Sequence, residues 1–236
     1  TRLPDGVSYR FHHMMKVCAE QAFAALPEQT RRAYHGRYGA WYAAHGQYLH
    51  ALAAYRKGED YDAVLQVIQD DAGILLAALS PEEVLAFLDV CPRGTLQAHP
   101  LTLLVLMRRM FTWQQIPKML ELRALLLAGI EAHPELPDTE QDNLLGECDL
   151  IMSFLQYNDI AAMSRLHRSA AARMTRPAIS IRNEGSWTFG SPSVLMMFHR
   201  TPGQLGAELD AMNACMPHYY RLTNGHGQGA ERIMDA

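Results

Sequence analysis

Residues 40–52 form the sequence Ala40-Trp41-Tyr42-Ala43-Ala44-His45-Gly46-Gln47-Tyr48-Leu49-His50-Ala51-Leu52. A glycine turn lies between two apolar stretches, and small residues stand where two packed helices must approach closely. Related turns occur at Asp60-Tyr61-Asp62-Ala63 and at Tyr157-Asn158-Asp159-Ile160-Ala161-Ala162. Turn residues between apolar helical patterns are typical of helical hairpins. The sequence therefore predicts paired antiparallel helices.

Other segments also carry helical signals. Ser80-Pro81-Glu82-Glu83 has the residues of a capping box with proline at the first helical position. Met119, Leu122, Leu126 and Ile130 recur at helical spacing. Repeated hairpins that bury their apolar faces by stacking define solenoids of the tetratricopeptide (TPR) type. We therefore expect an all-α fold, a right-handed α-solenoid of TPR-like helical hairpins.

Composition and charge exclude some functions. The chain has 236 residues, of which 49% are hydrophobic and 19% charged, with a net charge of −4. A segment that grips nucleic-acid phosphates is usually basic, so we expect no direct nucleic-acid contact. The apolar runs are too short for a membrane span, and no signal peptide is recognisable. Four separated cysteines, each in an apolar setting, predict buried thiols in a reducing cytoplasm.

Three parts of the chain differ in pattern. Residues 1–26 predict a short strand at Val7–Phe11 and a helix from about His12 to Ala25. We expect residues 27–236 to form the helical solenoid. Residues 176–203 have no helical period and are too long for a solenoid turn, so we expect an irregular insertion. The start at Thr1 and the helix-like end at Ala236 indicate a piece of a longer protein.

Motifs of common enzyme classes are missing. The sequence contains no GxxxxGK[ST], GxSxG, HExxH or GxGxxG pattern and no metal-ligand spacing among its histidines. We therefore expect no catalytic residue, no metal site and no cofactor in this segment. An enzyme would require a cluster of titratable groups, for which His199, His218 and Glu184 are the candidates.

Two residue sets are interpreted as packing. The aromatic residues Trp41, Tyr42, Tyr48, Tyr55 and Tyr61, and methionines such as Met107, Met110, Met119, Met152, Met163, Met196, Met197 and Met212, predict the solenoid core. A basic stretch on one helix predicts a solvated face, or alternatively a site for an anionic ligand or acidic partner. That stretch comprises Arg165, His167, Arg168 and Arg173.

The irregular segment predicts a ligand pocket. Trp187 offers a flat ring and one N–H, with Arg182, Asn183 and Glu184 nearby. We expect Trp187 to meet the helix His218-Tyr219-Tyr220-Arg221 and to line a groove with it. Stacking rings, hydroxyls and a planar cation suit a polar ligand with a planar or sugar-like face. The alternative is that the segment is an insertion that packs two solenoid parts together.

Several blocks of the sequence are similar to segments of one known protein family. Ser8-Tyr9-Arg10-Phe11-His12-His13-Met14-Met15 resembles the end of the winged-helix module in the MalT-like, ATP-dependent LuxR-type regulators of bacteria. Trp41 and Gly46-Gln47-Tyr48-Leu49-His50-Ala51 stand at the matching place for its next signature. Cys91-Pro92 and His99-Pro100-Leu101 resemble a later family pattern. The stretches 187–193 and 218–227 resemble a bacterial subset of these regulators.

The resemblance implies a sensor region. The family order is an ATPase, a winged helix, a helical sensor solenoid and a DNA-binding helix-turn-helix. This chain lacks the ATPase loop and the helix-turn-helix, so the resemblance implies the solenoid with the tail of the winged helix at 1–26. It implies a small-molecule effector or partner protein, and contacts with the other domains of the regulator. A stand-alone TPR-like protein-interaction scaffold is the alternative.

Overall fold

The computed structural model describes residues 2–3, 6–7, 12–156, 159–181 and 202–229. Helices dominate this part of the chain, which confirms the all-α class. Two short antiparallel strands, β1 (Arg2–Leu3) and β2 (Gly6–Val7), precede the helices. Of the predicted strand Val7–Phe11, Val7 belongs to β2, and residues 8–11 lie outside the described residues.

The chain divides into two compact units, Thr1–Val64 and Leu65–Ala236. In the first unit, α1 spans His13–Ala24, α2 spans Glu28–Ala44 and α3 spans Tyr48–Gly58. The predicted hairpin at Gly46 is confirmed, since α2 and α3 pack on each other and Gly46 has φ +67°. Glycine adopts this left-handed conformation at little cost, which explains the residue in this turn.

Two packing predictions for the first unit are wrong. Trp41 is 53% exposed, because the hairpin buries the face of α2 that carries Gly39, whereas Trp41 lies on a different face. Of the other four aromatic residues in that prediction, Tyr55 is buried and the rest are half-buried. Cys18 is exposed, because no side chain of α1 is buried. The other three cysteines are buried as predicted.

The division between the units falls within α4 (Tyr61–Asp70). A 3₁₀ helix at Ile74–Ala78 follows. The helices after it are α5 (Pro81–Val90), α6 (Arg93–Gln97), α7 (Pro100–Thr112), α8 (Ile116–Ala132), α9 (Asp138–Met152), a 3₁₀ helix (Ser153–Gln156), α10 (Ile160–Arg173) and α11 (Leu205–Leu222). The capping box predicted at Ser80 is present at the start of α5.

Consecutive helices of the second unit pack as hairpins. Contacts join α7 to α8, α9 to α10 and α10 to α11, and α7 also packs on α9. The methionines Met107, Met110, Met119, Met163 and Met212 are fully buried among them, as predicted, whereas Met152 is half-buried. Met196 and Met197 lie outside the described residues. That the hairpins form a right-handed TPR-like solenoid stays a prediction.

One helix contains a proline in its interior. Proline usually breaks or kinks a helix, but α11 runs through Pro217 to Leu222. Buried residues on both sides of Pro217, including Met216 and Tyr219, pack into one core with α10. Packing of this face offsets the hydrogen bond that proline cannot donate. The predicted boundary at residue 26 falls in the turn between α1 and α2, and the winged-helix assignment of 1–26 stays a prediction.

Candidate ligand-binding site

Only half of the residues predicted to line the pocket belong to the part of the chain that the structure describes. Arg182, Asn183, Glu184 and Trp187 lie outside the described residues, as do His199 and the rest of 182–201. The other four predicted site residues form the C-terminal end of α11: His218, Tyr219, Tyr220 and Arg221. Their predicted meeting with Trp187 stays a prediction.

These four side chains have different surroundings. Tyr219 has no exposed surface, and its hydroxyl lies 2.9 Å from Nδ1 of His226. Burial raises the pKa of Tyr219, so its hydroxyl stays protonated. Arg221 is exposed and donates to the carbonyl of Ala171. Tyr219 is therefore a core residue, and Arg221 ties α11 to α10.

A small polar cavity lies elsewhere in the second unit. It has a volume of about 50 Å³ and is lined in the described part of the chain by Ala72, Gly73, Val105, Arg108, Arg109, Thr112 and Ser180. Three segments supply these residues: the turn after α4, the C-terminal half of α7 and the loop after α10. Because a water needs roughly 10–15 Å³ of such volume, this cavity holds about three to five water-sized groups.

Two arginines supply positive charge to the cavity. Nη1 of Arg108 donates to the carbonyl of Ser180 at 2.8 Å, and Nη2 of Arg109 donates to the carbonyl of Gly73 at 2.9 Å. Burial lowers the pKa of both guanidinium groups, and the charge of Arg108 lowers that of Arg109 further. The two cations therefore lie in a partly dehydrated setting and repel each other.

A buried carboxylate positions Ser180 at the cavity. Glu147 is fully buried, and its Oε1 accepts from the backbone N–H groups of Ile179 and Ser180 at 2.9 and 2.7 Å. Its Oε2 accepts from Nη1 of Arg176 at 3.0 Å. The loop after α10 is thereby fixed against α9. Ser180 is held with only 1% of its surface exposed.

Ser180 has an unused hydrogen-bonding group. Its Oγ is buried and has no hydrogen-bond partner within the described ranges, although the residue lines the cavity. A buried hydroxyl without a partner costs about 1–3 kcal/mol, so such groups are uncommon and call for an explanation. Cationic guanidiniums and a hydroxyl donor around one small cavity are suited to holding an anionic group.

Sequence reasoning missed this cavity. Arg108 and Arg109, which line it, directly follow the apolar run Leu103–Met107 in the sequence. The missed signal is a pair of adjacent arginines directly after an apolar run, because the structure buries this run on all sides of α7 and leaves the two arginines half-buried. Glu147 gave a similar signal, since an acidic residue stands between Gly146 and Cys148 on a buried helix face.

The basic stretch on α10 forms a solvated face, as the first interpretation had it. Arg165, Arg168 and Arg173 are exposed, and Arg173 pairs with Asp142 at 3.1 Å. His167 is fully buried instead, with Nε2 lying 3.0 Å from Oγ of Ser153. Burial, with a smaller contribution from His218, lowers its pKa to about 4.

Two further properties concern metals and membranes. Over the described ranges, no three His, Cys, Asp or Glu side chains converge on a point where a metal ion could bind. Helices of sufficient length and hydropathy to traverse a bilayer are likewise not found in that part of the chain.

A catalytic role for His218 together with His199 and Glu184 is not tested, because His199 and Glu184 lie outside the described residues.

Comparisons with known proteins provide no relative from which a role could be transferred. No protein-family model matches the sequence, and no curated protein or solved structure is significantly similar to it.

Proposed function

We propose that this chain is the effector-sensing and protein-interaction segment of a bacterial LuxR-type transcriptional regulator of the MalT-like group, without its ATPase and DNA-binding parts. The blocks at 8–15, 41–51, 187–193 and 218–227 support the proposal by their resemblance to that family. A succession of packed helical hairpins is compatible with the sensor region of such a regulator. In this role the segment acts in the cytoplasm, without an enzymatic activity or a cofactor of its own.

The polar cavity is the observation that favours sensing. A sensor needs a site whose occupancy changes the relative free energy of two states. The cavity joins three segments distant in sequence, through Gly73, Arg108 and Ser180. A ligand that contacts all three would couple the turn after α4 to α7 and to the loop after α10. Binding can then favour one arrangement of these elements over another.

The proposal is tested with the full-length regulator. We expect its effector to change DNA binding in a gel-shift assay, and we expect this response to be lost when residues 65–236 are deleted. DNA binding by the deleted protein, measured without effector, is the control for intact DNA-binding parts. An effector response that survives the deletion would contradict the proposal.

A stand-alone interaction scaffold is the second candidate, and one observation favours it. Tyr34, Tyr38 and Trp41 are exposed by 38%, 53% and 53%, and their spacing places them along one side of α2. Exposed aromatic side chains on one face are typical of protein interfaces. A partner that binds the wild type but not Trp41→Ala, with no small molecule altering the melting temperature, would support this role.

A further inference from the structure

We propose that the cavity formed by Arg108, Arg109 and Ser180 binds a compact oxyanion, either free phosphate or the phosphate or carboxylate group of a small metabolite. The inference deepens the proposed function and rests on it for its biological meaning. Anion binding by the chain can nevertheless be measured without the rest of a regulator.

The charges around the cavity favour an anionic ligand. Arg108 and Arg109 are adjacent on α7 and both line the cavity, whereas the seven described lining residues include no carboxylate. In the described part of the chain, neither arginine forms an ion pair with an acidic residue, and each donates only to a backbone carbonyl. The positive charge of the cavity is therefore not neutralised by these residues, and an anion would relieve the repulsion.

Arg108, Arg109 and Ser180 have hydrogen-bond donors available to an anion. A guanidinium has five N–H donors in a planar fork, and the described residues take up one from Arg108 and one from Arg109. Ser180 also lines the cavity, and its buried Oγ has no hydrogen-bond partner among the described residues, so a different segment supplies a third donor group. Guanidinium groups bind phosphate and carboxylate oxygens in a bidentate manner, which gives strength and orientation.

The size of the cavity limits the ligands that it can accommodate. A volume of about 50 Å³ accommodates an oxyanion or the anionic end of a metabolite, but not a whole nucleotide or sugar. The hydrogen bond from the backbone N–H of Ser180 to Glu147 positions this residue without a bound ligand. Because the donors are positioned in advance, little ordering is needed on binding.

Binding is tested on the complete chain with inorganic phosphate and with acetate, by calorimetry and by the melting temperature. Sodium chloride at equal ionic strength is the reference. We expect saturable binding of phosphate and a rise in melting temperature with its concentration. Tighter binding of phosphate than of acetate would indicate a site for phosphate groups. Tighter binding of acetate than of phosphate would indicate a site for carboxylates. No saturable binding of either anion would overturn the inference.

Variants locate the site. Arg109→Gln should weaken anion binding about tenfold or more, since a charge-assisted hydrogen bond is lost. Arg165→Gln, at an exposed arginine of α10, is the matched control and should leave binding unchanged. Equal affinities of the Arg109→Gln and Arg165→Gln proteins would place the anion elsewhere and overturn the inference.

A substitution that supplies the negative charge guards against misfolding of the arginine variant. Thr112 lies at the C-terminal end of α7 and lines the cavity. Thr112→Glu should raise the melting temperature without anion and abolish the response to phosphate. An acidic residue at a helix C-terminus is otherwise unfavourable, so the opposite sign is expected if the cavity does not attract anions. A lower melting temperature with an intact phosphate response would overturn the inference.

The two proposals fail in different ways. Phosphate or acetate binding that depends on Arg109, combined with an effector response that survives deletion of 65–236, would leave the anion site standing and remove the regulator role. A response lost on deletion, without saturable anion binding, would keep the regulator role and remove the anion site.

Discussion

At the scale of single residues, buried polar groups organise the second unit. Glu147 has no exposed surface and accepts hydrogen bonds from two backbone N–H groups and from Arg176. Arg176 also donates to Glu140 at 2.9 Å. This arrangement holds the loop after α10, and with it Ser180 at the cavity. Its contribution is therefore structural, although it shapes the candidate site.

Neutralising Glu147 should destabilise the fold. Glu147→Gln retains the shape of the side chain but removes the charge that pairs with Arg176, and we expect a loss of about 3 kcal/mol in the free energy of unfolding. Urea denaturation provides the measurement. Glu131→Gln, at an exposed position of α8, should change the same quantity by less than about 0.5 kcal/mol. Equal effects of the two substitutions would contradict the role of Glu147.

Buried histidine should make stability depend on pH. The pKa of His167 is lowered from 6.5 to about 4, first by burial, so the unfolded chain binds its proton more readily. The stabilisation is complete above pH 6.5 and is lost as the pH falls towards 4. By the usual conversion, this loss amounts to about 3 kcal/mol. Lowered pKa values at His35 and His226 act in the same direction.

The contribution of His167 can be isolated by substitution. Free energies of unfolding measured between pH 4 and 8 should depend less steeply on pH in His167→Gln than in the wild type. His13→Gln, at an exposed position of α1, serves as the control and should retain the wild-type dependence. If the slope of His167→Gln equals that of the control, His167 does not titrate as described.

At the scale of elements, the hairpin of α2 and α3 depends on one close approach. A Cβ atom placed on Gly39 would lie 2.5 Å from Cε1 of Tyr55, closer than carbon atoms can pack. On the same helix, a Cβ atom on Gly36 would have no neighbour within 4 Å. The two glycines thus have different roles, one in packing and the other without a visible packing role.

These glycines form a matched pair for experiment. Gly36→Ala should raise the free energy of unfolding by up to about 1 kcal/mol, because alanine favours helix. Gly39→Ala should lower it by about 1–3 kcal/mol, because Tyr55 must move. Thermal denaturation of both variants tests the hairpin, and a stabilising Gly39→Ala would show that α2 and α3 do not pack in this way.

Much of the secondary structure could be predicted because it depends on local signals. The glycine turn at 46, the capping box at Ser80 and the helix pattern from Met119 to Ile130 all match the structure. The exposure of Trp41 differs from the prediction, and no local pattern indicates that α11 continues through Pro217. Both depend on which helix face finds a partner, which periodicity alone does not specify.

The cavity was hidden from sequence reasoning for a similar reason. Its polar side chains, Arg108, Arg109, Thr112 and Ser180, come from two segments about 70 residues apart, and no short motif indicates that they meet. The sequence instead favoured Trp187 and its neighbours as a site, because their segment has an unusual composition and no helical period. Local composition identifies unusual segments but does not reveal which distant side chains face one another.

At the scale of the whole molecule, the chain combines two compact helical units, and the second contains the charged cavity. Small differences in how three segments surround an anion are sufficient to bias a two-state equilibrium, since a tenfold difference in affinity corresponds to about 1.4 kcal/mol. A helical domain that senses an effector needs no catalytic residue for this purpose.

The most direct test is the effector response of the proposed full-length regulator carrying Arg109→Gln, measured as effector-dependent DNA binding beside the Arg165→Gln control. We expect Arg109→Gln to require at least about tenfold more effector for the same response, whereas Arg165→Gln should respond like the wild type. Identical effector dependence in the two variants would contradict a sensing role for this cavity.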